Sequence, residues 1–372
     1  MLVSKKSTSE RMTVFFDESM LGFRIPDGVF DSLPSDLLDV QMAQPERPER
    51  LANTVSVLKR GPAASYLDWR PARAATDAEI LTFHTPAYLA ELEEASRVGR
   101  HLTRSTYMPP GGLEIVRRGA GAAIDATKAV ISGEAKLAYA LVRPPAHHAQ
   151  PGTADGYCFV NNCGLAALEA LSLGAQRVAL VDWDVHHGNG AQDGFYERDD
   201  ILTISIHMNH GAWGPSHVQT GDVNETGKNA GAGYNLNIPL PFGIGDHGYA
   251  QLFERCVDPA LRRFKPDLLI LVNGQDANQF DPNGRQCVTM AGFHYLACQL
   301  RALADELCGG KIVVTQEGGY NPTYAPFCAY AVVAGLLKLP LELEDPIAFY
   351  PDDPVQAKNC IDQLIAQHPL LS

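Results

Sequence analysis

The segment Asp182-Trp183-Asp184-Val185-His186-His187-Gly188-Asn189-Gly190 sets two carboxylates and an imidazole at alternate positions directly after an apolar run. Alternate side chains of an extended chain point to one side, so Asp182, Asp184 and His186 can converge on a single ion. Alone, a DxD at a strand end reads equally well as a loop cap. A further carboxylate, Asp276 in Asn273-Gly274-Gln275-Asp276, closes another apolar run. Two Asp and one His leave a dication open positions for water and a carbonyl oxygen, as catalytic zinc requires. The oxygen-rich set also suits Fe(II) or Co(II).

Two more segments offer matching chemistry. Arg143-Pro144-Pro145-Ala146-His147-His148-Ala149 presents adjacent imidazoles in a proline-led turn, and an imidazole beside a metal-bound water is the natural general base near neutral pH. Gln316-Glu317-Gly318-Gly319-Tyr320 ends an apolar run in a glycine turn that can present a phenol. Each segment alone reads more often as surface histidines or as a turn with a packed tyrosine.

The elements that must position these groups follow from the pattern of the chain. From about residue 119, Ala- and Leu-rich helical stretches alternate with short β-branched runs, the sign of a parallel sheet covered on both faces. Strands are predicted at 137–142, 177–182, 201–207, 234–239, 268–273 and 312–316, and helices at 162–173, 247–264 and 291–308. The more irregular first hundred residues carry PERPERL at 45–51, opening a helix, and a second helix near 85–96. Each chemistry-bearing segment follows a predicted strand, where open parallel sheets place their ligands.

Composition bounds the partners. With 45% hydrophobic and 20% charged residues the chain can bury a large core. A formal charge of -13 argues against nucleic acid and anionic membrane surfaces. No apolar run reaches the ~18 residues of a membrane span, and the first eleven residues lack a signal-peptide core. Eight cysteines without a CxxC pair, mostly in apolar contexts, fit reduced thiols in a cytoplasm. Residues 1–11 are expected to be a flexible extension and 12–372 one catalytic domain.

RPPAHHA, GYCFVNN at 156–162, DWDVHHGNG, the DxxxxDP element at 276–282 and EGGY at 317–320 resemble, in order and approximate spacing, the motifs of the histone deacetylase family. The likeness runs from about Pro45 to Tyr330. It looks nearest to class II enzymes and bacterial histone-deacetylase-like amidohydrolases. The resemblance implies a single-domain α/β arginase/deacetylase-like fold, with a mostly parallel sheet of about eight strands and helices on both faces. It implies zinc on Asp184, His186 and Asp276, with His148 taking the proton of the attacking water. His147 would assist, held by Asp182, while Asn189, where class I enzymes commonly have Asp, would orient His148. Tyr320 would donate to the developing oxyanion.

The same resemblance implies two potassium sites, one at Asp182, Asp184, His186, Ser205 and Ile206 and one at Phe195, Arg198, Ile201 and Tyr234. It implies a homodimer or homotetramer. Tyr157 and Trp213 would form facing walls of an acyl tunnel, with Gly156 and Gly318 also against the substrate. Two positions depart from the family pattern: Ala146 stands where a Gly is usual, and Gln275 where an apolar residue is usual. Both are expected to shape which amide fits. The rim segment RSTYM at 104–108 offers no acid to hold a peptide backbone, which favours small amides over proteins.

The expected activity is therefore hydrolysis of an N-acyl, mainly N-acetyl, amide such as acetyl-lysine or an acetylated polyamine. An arginase-like ureohydrolase would need a second metal with more bridging acids. A non-catalytic binder of acetylated amines would use the same tunnel without turnover.

Overall fold

The computed structural model describes residues 10–209, 220–347 and 354–371. Ten strands form in chain order: β1 (Met12–Phe16), β2 (Leu67–Pro71), β3 (Arg100–His101), β4 (Tyr107–Met108), β5 (Leu137–Ala140), β6 (Val178–Asp182), β7 (Ile201–Met208), β8 (Asn235–Leu240), β9 (Leu268–Asn273) and β10 (Ile312–Gln316). Strands β3 and β4 make a small antiparallel ribbon. The other eight form one sheet in the order β2-β1-β5-β10-β9-β6-β7-β8, with every pairing parallel.

The interior strands are buried along their whole length. That is why β6, β9 and β10 read as nearly continuous Val, Leu and Ile runs rather than alternating ones. One helical layer holds Gly112–Ile131, packed on β1, β5 and β10, and Asn162–Ser172, packed on β6 and β9. A second layer holds Met290–Cys308, which lies on β9, and Ala325–Leu336, which bridges it to Pro48–Arg60. The C-terminal helix Pro354–Gln367 lies against β8, covering an edge that would otherwise offer unpaired backbone groups.

All six predicted strands are present, with ends displaced by at most two residues. The predicted helix at 247–264 is one continuous rod whose middle turn, Phe253–Val257, is a wider π turn between Asp246–Leu252 and Asp258–Phe264. Strands β1 and β2 had no sequence prediction. Each has only five residues, and β2 is a half-exposed edge strand containing Trp69, Arg70 and Pro71, a composition that resembles a loop.

Candidate metal centre and hydrolytic site

Strands β5, β10, β9 and β6 are consecutive neighbours in the sheet. Their register pairs Ala140 with Thr315, Gln316 with Asn273 and Val272 with Asp182, so the four carboxyl ends lie level. At about 4.8 Å between neighbours, the four motifs that follow these strands are forced into one cluster.

Asp184, His186 and Asp276 converge there, each offering one ligand atom within 4.8 Å of the others. Asp184 and Asp276 are fully buried, and His186 is 3% exposed. His186 Nδ1 lies 3.1 Å from Asp184 Oδ1 and 3.0 Å from Asp276 Oδ2. Backbone donors aim the two carboxylates: Val185 N donates to Asp276 Oδ1 at 2.8 Å, and Gly318 N donates to Asp184 Oδ2 at 2.8 Å.

A cation fits this set on three counts. Asp276 Oδ2 is buried, with the His186 ring 3.0 Å away; a buried carboxylate oxygen is costly unless positive charge meets it. Burial and the neighbouring Asp184 charge push the Asp276 carboxyl up to about 8, as expected where two acids are crowded together out of water. The space is also kept open by glycine. A Cβ on Gly318 would fall 2.1 Å from Asp276 Oδ2, and one on Gly274 would fall 2.3 Å from Asp184 Oδ2. Two carboxylates and one imidazole are a donor set that zinc accepts.

The imidazole pair stands beside these ligands. His147 Nδ1 bonds Asp182 Oδ2 at 2.8 Å, and its Nε2 lies 3.6 Å from Asp184 Oδ1. Burial alone would lower the His147 pKa, but Asp184 and then Asp182 outweigh it and hold the ring's pKa well above its usual value. His148 Nδ1 meets Asn189 Oδ1 at 2.7 Å, while Asn189 Nδ2 donates to Asp155 Oδ2 at 3.1 Å. The Asp155 carboxylate only accepts, so the Asn189 amide must turn its oxygen to His148. The Nδ1 of His148 then carries the proton, and Nε2 holds the basic lone pair. Burial, with His147 beside it, brings the His148 pKa down to about 3. Gly156, at φ +46, makes room for this ring, since a Cβ there would sit 2.3 Å from His148 Cδ2.

Tyr320 is buried, and its ring centroid lies 6.5 Å from that of His186 and 5.5 Å from that of Tyr157. Its backbone amide donates to Asp281 Oδ2 at 2.6 Å. Tyr157 is held by its own amide on Thr106 Oγ1 at 3.1 Å and by Asn283 Nδ2 donating to its hydroxyl at 3.4 Å. Trp213, the expected opposite wall, lies outside the described residues.

Ala146 is fully buried, and its amide donates to Glu317 Oε2 at 2.6 Å. Gln275 is engaged away from the ligands. Its Oε1 accepts from Gln316 Nε2 at 2.8 Å and its Nε2 donates to Asn273 O at 3.1 Å. Gln316 Oε1 in turn accepts from the Tyr139 hydroxyl. The polar residue at this position therefore belongs to a buried amide network behind the glycine turn.

Of the residues matched to potassium, Ser205 Oγ accepts from Gly188 N at 3.2 Å and meets His207 Nδ1 at 3.0 Å, and Ile206 is buried. Around the second position, Arg198 N donates to Phe195 O at 3.0 Å, Thr203 N donates to Tyr234 O at 3.1 Å, and Ile201 opens β7.

Several supports escaped the sequence reading. Glu46 joins Arg143, at 3.0 and 2.7 Å, to Arg50, at 3.1 Å, in a buried triad. Arg50 Nε donates to Gly319 O at 2.9 Å, and its guanidinium lies 4.8 Å from the Tyr320 ring centroid. Asp155, Asp281 and Glu317 likewise act on residues far away in sequence. For Arg143 and Glu317 the available signal was charge inside an otherwise apolar or glycine-rich segment, an expensive choice unless paired; Glu46 and Arg50, in the charged stretch PERPERL, gave none.

The fold and site define a parallel α/β protein with, among the described residues, one group of three side chains that could hold a metal ion, flanked by an imidazole pair and a tyrosine. Residues 44–336 match the family described as Histone deacetylase domain. The chain is 45% identical to Histone deacetylase 8 of Arabidopsis thaliana, over 97% of both chains. It is 37% identical to the histone deacetylase-like amidohydrolase of Pseudomonas aeruginosa, covering 91% of this chain and 89% of that one. A solved structure titled Crystal Structure of HDA15 HD domain superposes with a TM-score of 0.83 at 32% identity, covering 97% of this chain and 94% of that one. The protein belongs to the histone deacetylase family and has the arginase/deacetylase fold.

Proposed function

We propose that the protein is a zinc-dependent hydrolase of N-acyl amides, above all N-acetylated amines such as acetyl-lysine, acetylpolyamines or other small secondary amides. The observation that carries this reading is the convergence of Asp184, His186 and Asp276 with His147, His148 and Tyr320 at level strand ends. Zinc held by the three ligands would polarise the acyl carbonyl and make water acidic at neutral pH.

The remaining steps fall to the side chains. His148, with its Nδ1 proton committed to Asn189, takes the proton of the attacking water at Nε2. His147 pairs with Asp182 and keeps positive charge beside the reacting atoms. The Tyr320 hydroxyl donates to the oxygen on which negative charge develops. Protonated His148 then gives its proton to the departing amine nitrogen, so acid and base balance over the cycle. Burial raises the Tyr320 pKa, which keeps the phenol as a donor.

The acyl stem would run along Tyr157, with Gly156 and Gly318 keeping the passage open and Trp213 as the facing wall. Ala146 would set the floor near the metal. Gln275 would act through the glycine turn, given its bonds to Gln316. Potassium at the two sets of positions named above and a cytoplasmic homodimer or homotetramer complete the reading. Among the described residues no helix is long and apolar enough to cross a membrane.

The test is steady-state hydrolysis of acetyl-lysine, acetylpolyamine, trifluoroacetyl and small aryl amides side by side, with zinc added. Tyr320→Phe should keep its metal and lose about 100-fold or more in kcat, the scale of one oxyanion donor. Near-normal turnover in that variant would refute the oxyanion role.

A further inference from the structure

Glu317 occupies a place that the hydrolytic scheme does not use. It is fully buried within the turn that carries Tyr320, yet its side chain reaches the turn that carries the imidazole pair. Glu317 Oε2 accepts from both the Ala146 amide, at 2.6 Å, and the His147 amide, at 3.0 Å. Its other oxygen, Oε1, is buried without a hydrogen-bond partner. The backbone around it is clamped from three sides. Glu317 N donates to Asn273 O at 3.2 Å, Glu317 O accepts from Arg50, and the next amide, Gly318 N, donates to Asp184 Oδ2 at 2.8 Å.

Two consecutive backbone amides pointing at one carboxylate oxygen fix the direction of the peptide planes on both sides of Ala146, and hence where the His147 and His148 side chains leave the chain. The same residue's main chain fixes the entry to Gly318-Gly319-Tyr320. A short, buried side chain thus sets the separation between the group that removes a proton and the group that meets the oxyanion. A fully buried carboxyl with one idle oxygen is costly to keep, and two amide donors can also be met by the oxygen of a neutral carbonyl group.

We propose that Glu317 is a positioning residue for amide hydrolysis, holding the His147-His148 turn in register with Tyr320 through paired hydrogen bonds to the Ala146 and His147 amides. This inference rests on the hydrolytic reading above. It predicts that the acceptor oxygen matters and the charge does not.

The experiment compares the zinc-loaded wild-type protein with Glu317→Ala, Glu317→Gln, Tyr320→Phe and the double variant Glu317→Ala/Tyr320→Phe on an acetyl-lysine amide. Backbone hydrogen exchange is read in parallel. Glu317→Ala should lower kcat by about 100-fold, as expected for a displacement of about 1 Å at the reacting groups. Its KM and zinc content should stay near wild type, and exchange at the Ala146 and His147 amides should accelerate. Glu317→Gln, which keeps an acceptor and the same shape, should restore both kcat and protection. The double variant should be little worse than Tyr320→Phe alone, because residues acting as one unit are not additive.

Equal losses in the Gln and Ala variants, or wild-type kcat in Glu317→Ala, would overturn the inference. So would full additivity in the double variant, or unchanged exchange at the two amides. Absence of turnover in the wild-type protein would instead remove the hydrolytic reading, and the role of Glu317 with it.

Discussion

Replacing Glu46 by alanine strands two buried guanidinium groups. Arg143 is fully buried and Arg50 is 4% exposed. Glu46 supplies both of its oxygens to Arg143, at 3.0 and 2.7 Å, and one of them to Arg50 at 3.1 Å. Among the described residues the variant leaves Arg143 only the carbonyls of Met20 and Phe23, and Arg50 only those of Glu317 and Gly319, as hydrogen-bond acceptors. Removing one partner of a buried ion pair costs about 3–5 kcal/mol. With an unfolding entropy of about 2 cal/mol/K per residue, a chain of 372 residues should then unfold about 4–6 °C lower.

The pH dependence gives a second readout of the same triad. Burial would raise the Glu46 pKa, but Arg143 and then Arg50 overcome it and hold the carboxyl below its usual value. A carboxyl lowered in the folded state adds stability above its ordinary pKa and loses it as the pH falls. The gap between wild type and Glu46→Ala should therefore be full at neutral pH and narrow in acid. Calorimetry or circular dichroism across that range measures it. A midpoint shift under about 1 °C at neutral pH, against the several degrees expected of a broken buried pair, would refute the stabilising role of the triad.

Two further outcomes follow from the geometry. Gly156→Ala drives a methyl to 2.3 Å from His148 Cδ2 at a φ of +46, so kcat should fall by about 100-fold with zinc content unchanged, and a loss of less than threefold by steady-state assay would contradict the close approach. His84, whose Nε2 accepts from Asn161 N at 2.9 Å, is driven by burial from 6.5 down to about 4. Between those values the unfolded chain takes up a proton that the folded protein refuses. Stability should consequently fall by about 3 kcal/mol as the pH drops from 6.5 to 4. Denaturant titrations of His84→Gln should lack that part of the slope.

What the sequence made legible, and what it did not, follows from the range of the interactions concerned. The candidate metal ligands were readable because Asp184 and His186 lie two residues apart at one strand end and Asp276 follows another apolar run. Strands β5, β6, β9 and β10 were readable because burial on both faces writes short, uninterrupted apolar runs. Their side-by-side order β5-β10-β9-β6 is a long-range fact that no local pattern encodes. The bonds of Glu317 to Ala146 and of Glu46 to Arg143 were unreadable for the same reason, since those partners stand 171 and 97 residues away. The departure at Gln275 was readable beside Asp276, but its bond from Gln316, 41 residues away, was not.

The most direct test is a metal titration of the chelator-stripped protein, with binding followed calorimetrically and hydrolysis of an acetyl-lysine amide read at each addition. The expected result is activity rising linearly to a plateau at one zinc per chain, with Asp184→Asn and Asp276→Asn both weakening binding and abolishing turnover. Full activity in the stripped protein, or a plateau at two ions per chain, would contradict it.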